Sequence, residues 1–408
     1  MRITTVLNKL IGLQGLWVRG LRIRWQQREL WIEVVPRSRC SRCGSCGKKA
    51  TQRYDHSWRS WRHLDLFGFK TLLRYAIWRV QCRRCGVRTE QVPWARLGSR
   101  FTEPFEQEVA WLAQRTDLST VAAYFRLSWS TVRRIVERVV ERHWDGDRRL
   151  DGLRIIGIDE ISYRRHHKYL TVVVDHLTGR VVWAGKDRKV KTLLRFFREL
   201  GPERAAKLEA VSMDMWQAYI SVVSKKAPQA RLIFDRFHIV RHLNQALDKV
   251  RRQMLDDLEG EARRDLKNTK FPLLKRPARR TADDKRLLKE QVQGNLRLYR
   301  AMLLKDDFMD LYTYRREGWA RRFLDGWLQR AMRSKLEPIK KVARMIRDHY
   351  DGVIGWVSWQ ISNGRLEGMN NKIRLLSHRS FGLHSAQALI SLVYLCCGGL
   401  QLECTHGY

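Results

Sequence analysis

The chain has 408 residues, 44% of them apolar, enough for two or three cores at about 100 to 200 residues per domain. Lys and Arg number 80 against 42 Asp and Glu, a formal charge of +38 that would self-repel in a compact fold, so a neutralising polyanion is the expected partner. No apolar run approaches the roughly 20 residues that span a bilayer, Met1–Leu10 lacks the apolar core of a secretion signal, and no segment reads as a basic membrane helix, which predicts a cytoplasmic, nucleic-acid-binding protein and excludes membrane and secreted classes.

Residues 1–95 alternate apolar and polar residues in short runs, among them Leu21, Ile23 and Trp25, and then Leu72 to Val80, which predicts strands. Cys40-Ser-Arg-Cys43 and Cys82-Arg-Arg-Cys85 are two C-x2-C pairs, the spacing with which paired knuckles hold four thiolates around one structural Zn2+. Cys46 competes for a place in that set. Cys396, Cys397 and Cys404 read as buried or free thiols.

Residues 102–145 carry Phe105, Val109, Leu112, Leu118, Val121, Phe125, Val132, Ile135 and Val136 at helical spacing. Leu118 to Val136 reads as helix, tight turn, helix, with Ser119 and Ser128 as caps. The second helix would present Ser128, Trp129, Ser130, Arg133 and Arg134 to the major groove of DNA. A plain helical hairpin is the alternative.

From 151 to 240 the pattern predicts strands over Arg154–Ile161, Tyr169–Asp175 and Arg180–Gly185, a helix over Lys189–Leu200, a strand over Ala210–Met215, a helix to Lys226 and a strand over Arg231–Asp235. Three antiparallel strands followed by alternating helices and strands is the order of a ribonuclease-H-like core. Residues 241–355 read as a helical insertion, either a lobe over DNA or a solvated spacer, and 356–400 returns to the core. The fold class is therefore multidomain α+β.

Two acids end apolar strands, Asp159 in Gly-Ile-Asp-Glu and Asp214 in Ser-Met-Asp-Met-Trp. An unpaired carboxylate there is costly, and a metal ion offsets the cost. Two Mg2+ or Mn2+ ions on such hard oxygen ligands suit phosphodiester chemistry. Alternation along the strand predicts that Glu160 faces away from Asp159. The third acid is Glu367: after Asn363 as a cap, Glu367, Asn370, Asn371 and Arg374 share one helix face that could bind metal and phosphate, or be an ordinary surface.

These strings, with Phe-Asp235-Arg-Phe-His238-Ile-Val and Ser-Asn-Gly-Arg-Leu-Glu-Gly-Met-Asn-Asn, resemble the insertion-sequence L-three family of bacterial transposases over nearly the whole chain. The resemblance implies a four-cysteine zinc finger, a helix-turn-helix, a ribonuclease-H-like core with a helical insertion, and Asp159, Asp214 and Glu367 as a catalytic acid triad. It also implies an accessory D-x2-H element, here Asp235 and His238, for which a structural strand-end pair is the alternative. The expected activity is binding of double-stranded DNA at terminal inverted repeats, cleavage of the ends and strand transfer to target DNA, by a homodimer or larger assembly at the bacterial nucleoid. A transposase-derived regulator and a structure-selective nuclease are the competing classes.

Overall fold

The computed structural model describes residues 3–38, 40–144, 148–164, 168–361, 364–379 and 385–404. The chain divides into two compact units, Met1–Trp144 with Leu400–Tyr408, and Asp145–Gly399. Among the described residues no helix is long and apolar enough to cross a membrane.

The first unit opens with a helix, Ile3–Leu10, where strands were expected, because Leu7 and Ile11, one helical turn apart, bury against the sheet. The sheet comprises β1 (Leu16–Arg24), β2 (Glu29–Pro36), β3 (Gln52–Arg62), β4 (Lys70–Cys82) and β5 (Gly86–Thr89), in the order β1-β2-β4-β3 with β5 on β4. Strict alternation in β2 sends Leu30, Ile32 and Val34 to the core and Trp31 and Glu33 to the open face. A bulge between Val18 and Gly20 keeps β1 in step with it. Leu21 and Ile23 then pair with Ile32 and Leu30 at the rim of the core, while Trp25 lies past the strand end and is 71% exposed.

Three helices follow: Glu103–Ala113, Leu118–Phe125 and Trp129–His143. Ser128 caps the third, as expected. The second is capped by Asp117 instead of Ser119, since the Asp117 carboxylate accepts from the backbone N–H of both Ser119 and Thr120 at 2.9 Å. Arg126, left-handed at φ 55°, makes the tight turn that a glycine usually makes.

The second unit holds β6 (Ile155–Arg164), β7 (Lys168–Asp175), β8 (Val181–Lys186), β9 (Ala210–Met213) and β10 (Arg231–Phe234), in the order β10-β9-β6-β7-β8. β6, β7 and β8 are antiparallel neighbours; β9 runs parallel to β6, and β10 parallel to β9. After β10 the described residues are helical from Arg236 to Trp359, apart from short connections. This segment is no solvated spacer: Leu243, Leu298, Phe308, Trp327 and Ile346 belong to the same apolar cluster as Ile156, Val211 and Ile233 of the sheet. Its last helix, Tyr350–Trp359, lies against β10, where a Cβ on Gly355 would stand 3.0 Å from the Leu232 carbonyl oxygen.

Candidate active site and its accessory modules

Strand register assembles the acids. Ile155 and Gly157 of β6 pair with Ala210 and Ser212 of β9, so two residues further on Asp159 and Asp214 are level. Phe234 of β10 pairs with Met213, which makes Asp235 level with Asp214. Three acids from three adjacent parallel strands thus stand level, Asp159 from within β6 and Asp214 and Asp235 just past the carboxyl ends of β9 and β10, where open α/β sheets bind their ligands. Asp235 also caps the helix Arg236–Leu255 by accepting from the Phe237 N–H at 2.8 Å. The first turn of that helix carries His238 back to Asp214, with Nδ1 2.6 Å from Oδ1, and its Nε2 is 3.7 Å from Asp235.

Glu367 arrives from the helix Gly364–Arg379. The expected cap, Asn363, lies outside the described residues. What seats the helix is Gly157: a Cβ there would come within 2.7 Å of both Leu366 and the His176 ring, so only glycine lets Leu366 rest on β6. Arg365 adds a hydrogen bond to the Leu177 carbonyl at 3.2 Å. One turn further, Asn370 is buried and donates to Asp159 Oδ2 at 2.5 Å. Glu367, Asn370 and Arg374 line one cleft with Asp159, Asp214, Asp235 and His238, a cavity of about 840 Å³. Asn371 is exposed and accepts from Arg374 at 3.1 Å, but does not line the cleft. Among the described residues, the tightest metal-capable group here is Asp214, Asp235 and His238, whose ligand atoms lie within 4.8 Å of one another; Asp159 and Glu367 stand outside it.

Glu160 corrects the alternation argument. It lines the cleft together with Asp159, from the stretch of β6 beyond its pairing with β9. Burial, and then the charges of Asp159 and Asp214, push its carboxyl up to about 7. Asp159 is raised chiefly by burial, against the opposing hydrogen bond from Asn370. Burial would lower His238, yet its hydrogen bond to Asp214 and the charges of Asp214 and Asp235 together hold it above its ordinary value. The cleft therefore concentrates negative charge, and its donor set of carboxylate oxygens with one imidazole fits divalent cations that prefer hard ligands.

Arginines frame this acidic floor: Arg188, Arg236, Arg241, Arg276 and Arg374. Arg188 lies over the Tyr169 ring at 4.6 Å and near Trp216 at 5.8 Å, and among the described residues its guanidinium makes no ion pair. The residue before it, Asp187, has φ 72°, a conformation that costs a non-glycine residue about 1–3 kcal/mol and turns the chain into the cleft after β8. In the sequence Arg188 is one arginine among many, marked only by the Lys-Asp-Arg that ends an apolar strand.

In the first unit the sulfurs brought together are those of Cys43, Cys46, Cys82 and Cys85. Cys40 is exposed and outside the group, so Cys46 takes the place expected for it. The overlapping run Cys40-x2-Cys43-x2-Cys46 allows either register, and the backbone decides. Gly47 is left-handed at φ 69° and closes the turn by donating to the Cys43 carbonyl at 2.8 Å, as Gly86 at φ 70° follows Cys85. Gly44 is needed elsewhere: its N–H donates to the Thr89 carbonyl at 3.0 Å, and a Cβ would stand 2.6 Å from that oxygen. Cys46 and Cys82 sulfurs are 3.5 Å apart, close to the edge of about 3.8 Å in a tetrahedron with Zn–S near 2.3 Å. Backbone N–H groups of Cys85 and Arg84 hold the Cys82 thiol down at about 7, favouring the thiolate that a zinc ion needs. Four sulfurs with no open position describe a structural zinc site.

On the third helix of this unit Ser128, Ser130 and Arg134 are exposed. Arg133 is half-buried and paired with Glu137 at 2.7 Å, and Arg134 Nε donates to the Ser130 carbonyl at 3.3 Å.

One unit thus carries a cleft lined by acids and arginines, and the other a four-cysteine cluster and three short-linked helices. Family models agree: that of the ISL3 transposases, described as a transposase, matches residues 156–393, the helix-turn-helix domain of transposase family ISL3 matches 90–140, and the zinc-finger of transposase IS204/IS1001/IS1096/IS1165 matches 39–85. The transposase for insertion sequence element IS1557 of Mycobacterium tuberculosis is 37% identical over 84% of this chain and 82% of its own. That for IS1001 of Bordetella parapertussis is 28% identical over 92% of this chain and 94% of its own. The chain belongs to the ISL3 family of insertion-sequence transposases.

Proposed function

We propose that this transposase cleaves the ends of its element and joins them to target DNA, with Asp159, Asp214 and Glu367 holding two Mg2+ or Mn2+ ions in a ribonuclease-H-like core. The observation that carries the reading is the register of β6, β9 and β10, which levels Asp159, Asp214 and Asp235, with Leu366 seated on Gly157 beside them. Bound ions would supply charge compensation for the entering and leaving oxygens of an in-line displacement. The chain's own residues do the positioning. Asn370 orients the Asp159 carboxylate, and His238 holds Asp214 while Asp235 fixes the start of its helix. Arg188, held over the Tyr169 ring and making no ion pair among the described residues, binds a DNA phosphate beside the reacting one.

The terminal inverted repeats are read by the first unit, through Ser128, Ser130 and Arg134 of the third helix, with Arg133 held in place by Glu137. Structural zinc on Cys43, Cys46, Cys82 and Cys85 keeps the finger folded. Two ends must be held together, so the working form is a homodimer or larger on DNA, in the cytoplasm at the nucleoid. The test is strand transfer: a pre-cut element end is offered with plasmid DNA and divalent cation. Joined product supports the transposase; cleavage without joining describes a nuclease, and end binding without cleavage a regulator.

A further inference from the structure

The open face of the N-terminal sheet carries a feature that neither zinc binding nor the helix-turn-helix uses. β2 sends Trp31 outward while its alternate residues fill the core, and Trp17 of β1, Trp58 of β3 and Trp78 of β4 also line grooves on the open side. Trp17 and Trp58 are 49% and 50% exposed, a large apolar area for a surface with no cover in the described unit. An arginine lies over each ring: Arg37 over Trp17 at 4.3 Å, Arg24 over Trp31 at 4.8 Å, Arg74 over Trp58 at 4.3 Å and Arg53 over Trp78 at 5.2 Å. The pairs flank two grooves of about 600 and 760 Å³ that meet at Glu33 and Trp58.

Each part of this pattern limits the occupant. Phosphates alone would be served by Lys, Arg and backbone N–H groups, without four indoles held on a sheet. Trp and Arg also anchor protein interfaces, but a chain with a formal charge of +38 calls for a polyanion as the occupant. Flat aromatic faces interleaved with cations suit unpaired bases, which stack on indole or guanidinium planes while their phosphates meet the charge. A duplex keeps its bases stacked inside and offers no such face. We infer that the tryptophan–arginine face of the β1-β2-β4-β3 sheet is a binding surface for single-stranded DNA.

This rests on the reading that the protein handles DNA ends, where strands become unpaired, but it concerns a surface separate from the acidic cleft. It is tested on the full-length protein by fluorescence anisotropy with a labelled oligothymidylate and, in parallel, with an inverted-repeat duplex, each across a salt series. Trp58→Ala and Arg74→Lys are the variants; circular dichroism and zinc content report whether they fold, and Trp58→Phe keeps a stacking ring if alanine does not. Each of the first two should weaken oligothymidylate binding by about tenfold, with Trp58→Phe close to wild type, while duplex affinity and cleavage stay within about threefold. Stacking also survives salt, so the loss should persist where phosphate contacts are screened. Unchanged oligothymidylate affinity in folded Trp58→Ala overturns the inference, as does an equal loss on the duplex, which would make the face a duplex surface. Loss of cleavage in Asp214→Asn with oligothymidylate binding retained separates the two sites.

Discussion

The four clustered cysteines come from two short stretches of chain, each a turn closed by a glycine, whereas the acids of the cleft come from segments spread between residues 159 and 367. In the first case local backbone geometry brings the sulfurs together, and the second turn already stabilises a thiolate at Cys82. In the second case nothing local does so: sheet register levels three carboxylates, and the packing of Leu366 on Gly157 brings in the fourth from a distant helix. The soft site is closed and filled by protein ligands. The acid cleft stays open, with Asp159 and Asp214 held by Asn370 and His238. A site defined by turns should fail by losing its metal, and one defined by long-range packing should fail by losing geometry.

Variants at the two sites sharpen that contrast. Glu367→Gln is expected to reduce end cleavage by roughly a thousandfold or more with little change in end binding, read by single-turnover kinetics and gel shift. Cys46→Ser should release zinc and lower the melting temperature of the first unit by about 10 °C or more, while Cys40→Ser keeps the metal; zinc analysis of both proteins decides between the two registers. Gly157→Ala, whose new methyl group meets Leu366 and His176, should cost about 1–3 kcal/mol by denaturant titration and slow cleavage further than stability alone explains. A further effect concerns pH. Burial depresses His176 from 6.5 to about 4, so the folded state binds fewer protons than the unfolded one between those values. Its contribution is complete above pH 6.5 and declines towards pH 4, by up to about 3 kcal/mol, and His176→Gln should flatten that part of the stability profile.

Much of the scaffold was legible because it is written in local patterns. Apolar runs bounded by glycine or charge marked the strands of the second unit, and an acid interrupting such a run marked Asp159 and Asp214. Glu367 was different: its helix face could equally be an ordinary polar surface until Leu366 is seen on Gly157, so the pattern left both readings open and the family resemblance favoured the catalytic one. The errors have a common source in contacts that sequence spacing does not encode. Glu160 lines the cleft past the point where β9 stops pairing with β6. Cys46 displaces Cys40 because Gly44 packs against Thr89. Asp117 displaces Ser119 because its carboxylate reaches two backbone donors. The tryptophan–arginine face was invisible for another reason, since alternation assigns residues to a face but does not show that four strands place their tryptophans on the same one.

The most direct measurement is cleavage of DNA carrying the element's own ends by wild type and Asp214→Asn, each in Mg2+ and in EDTA. The account predicts cuts at the repeated ends only for wild type in Mg2+, with Asp214→Asn still bound to those ends. Cleavage that persists in Asp214→Asn, or in EDTA, would contradict it.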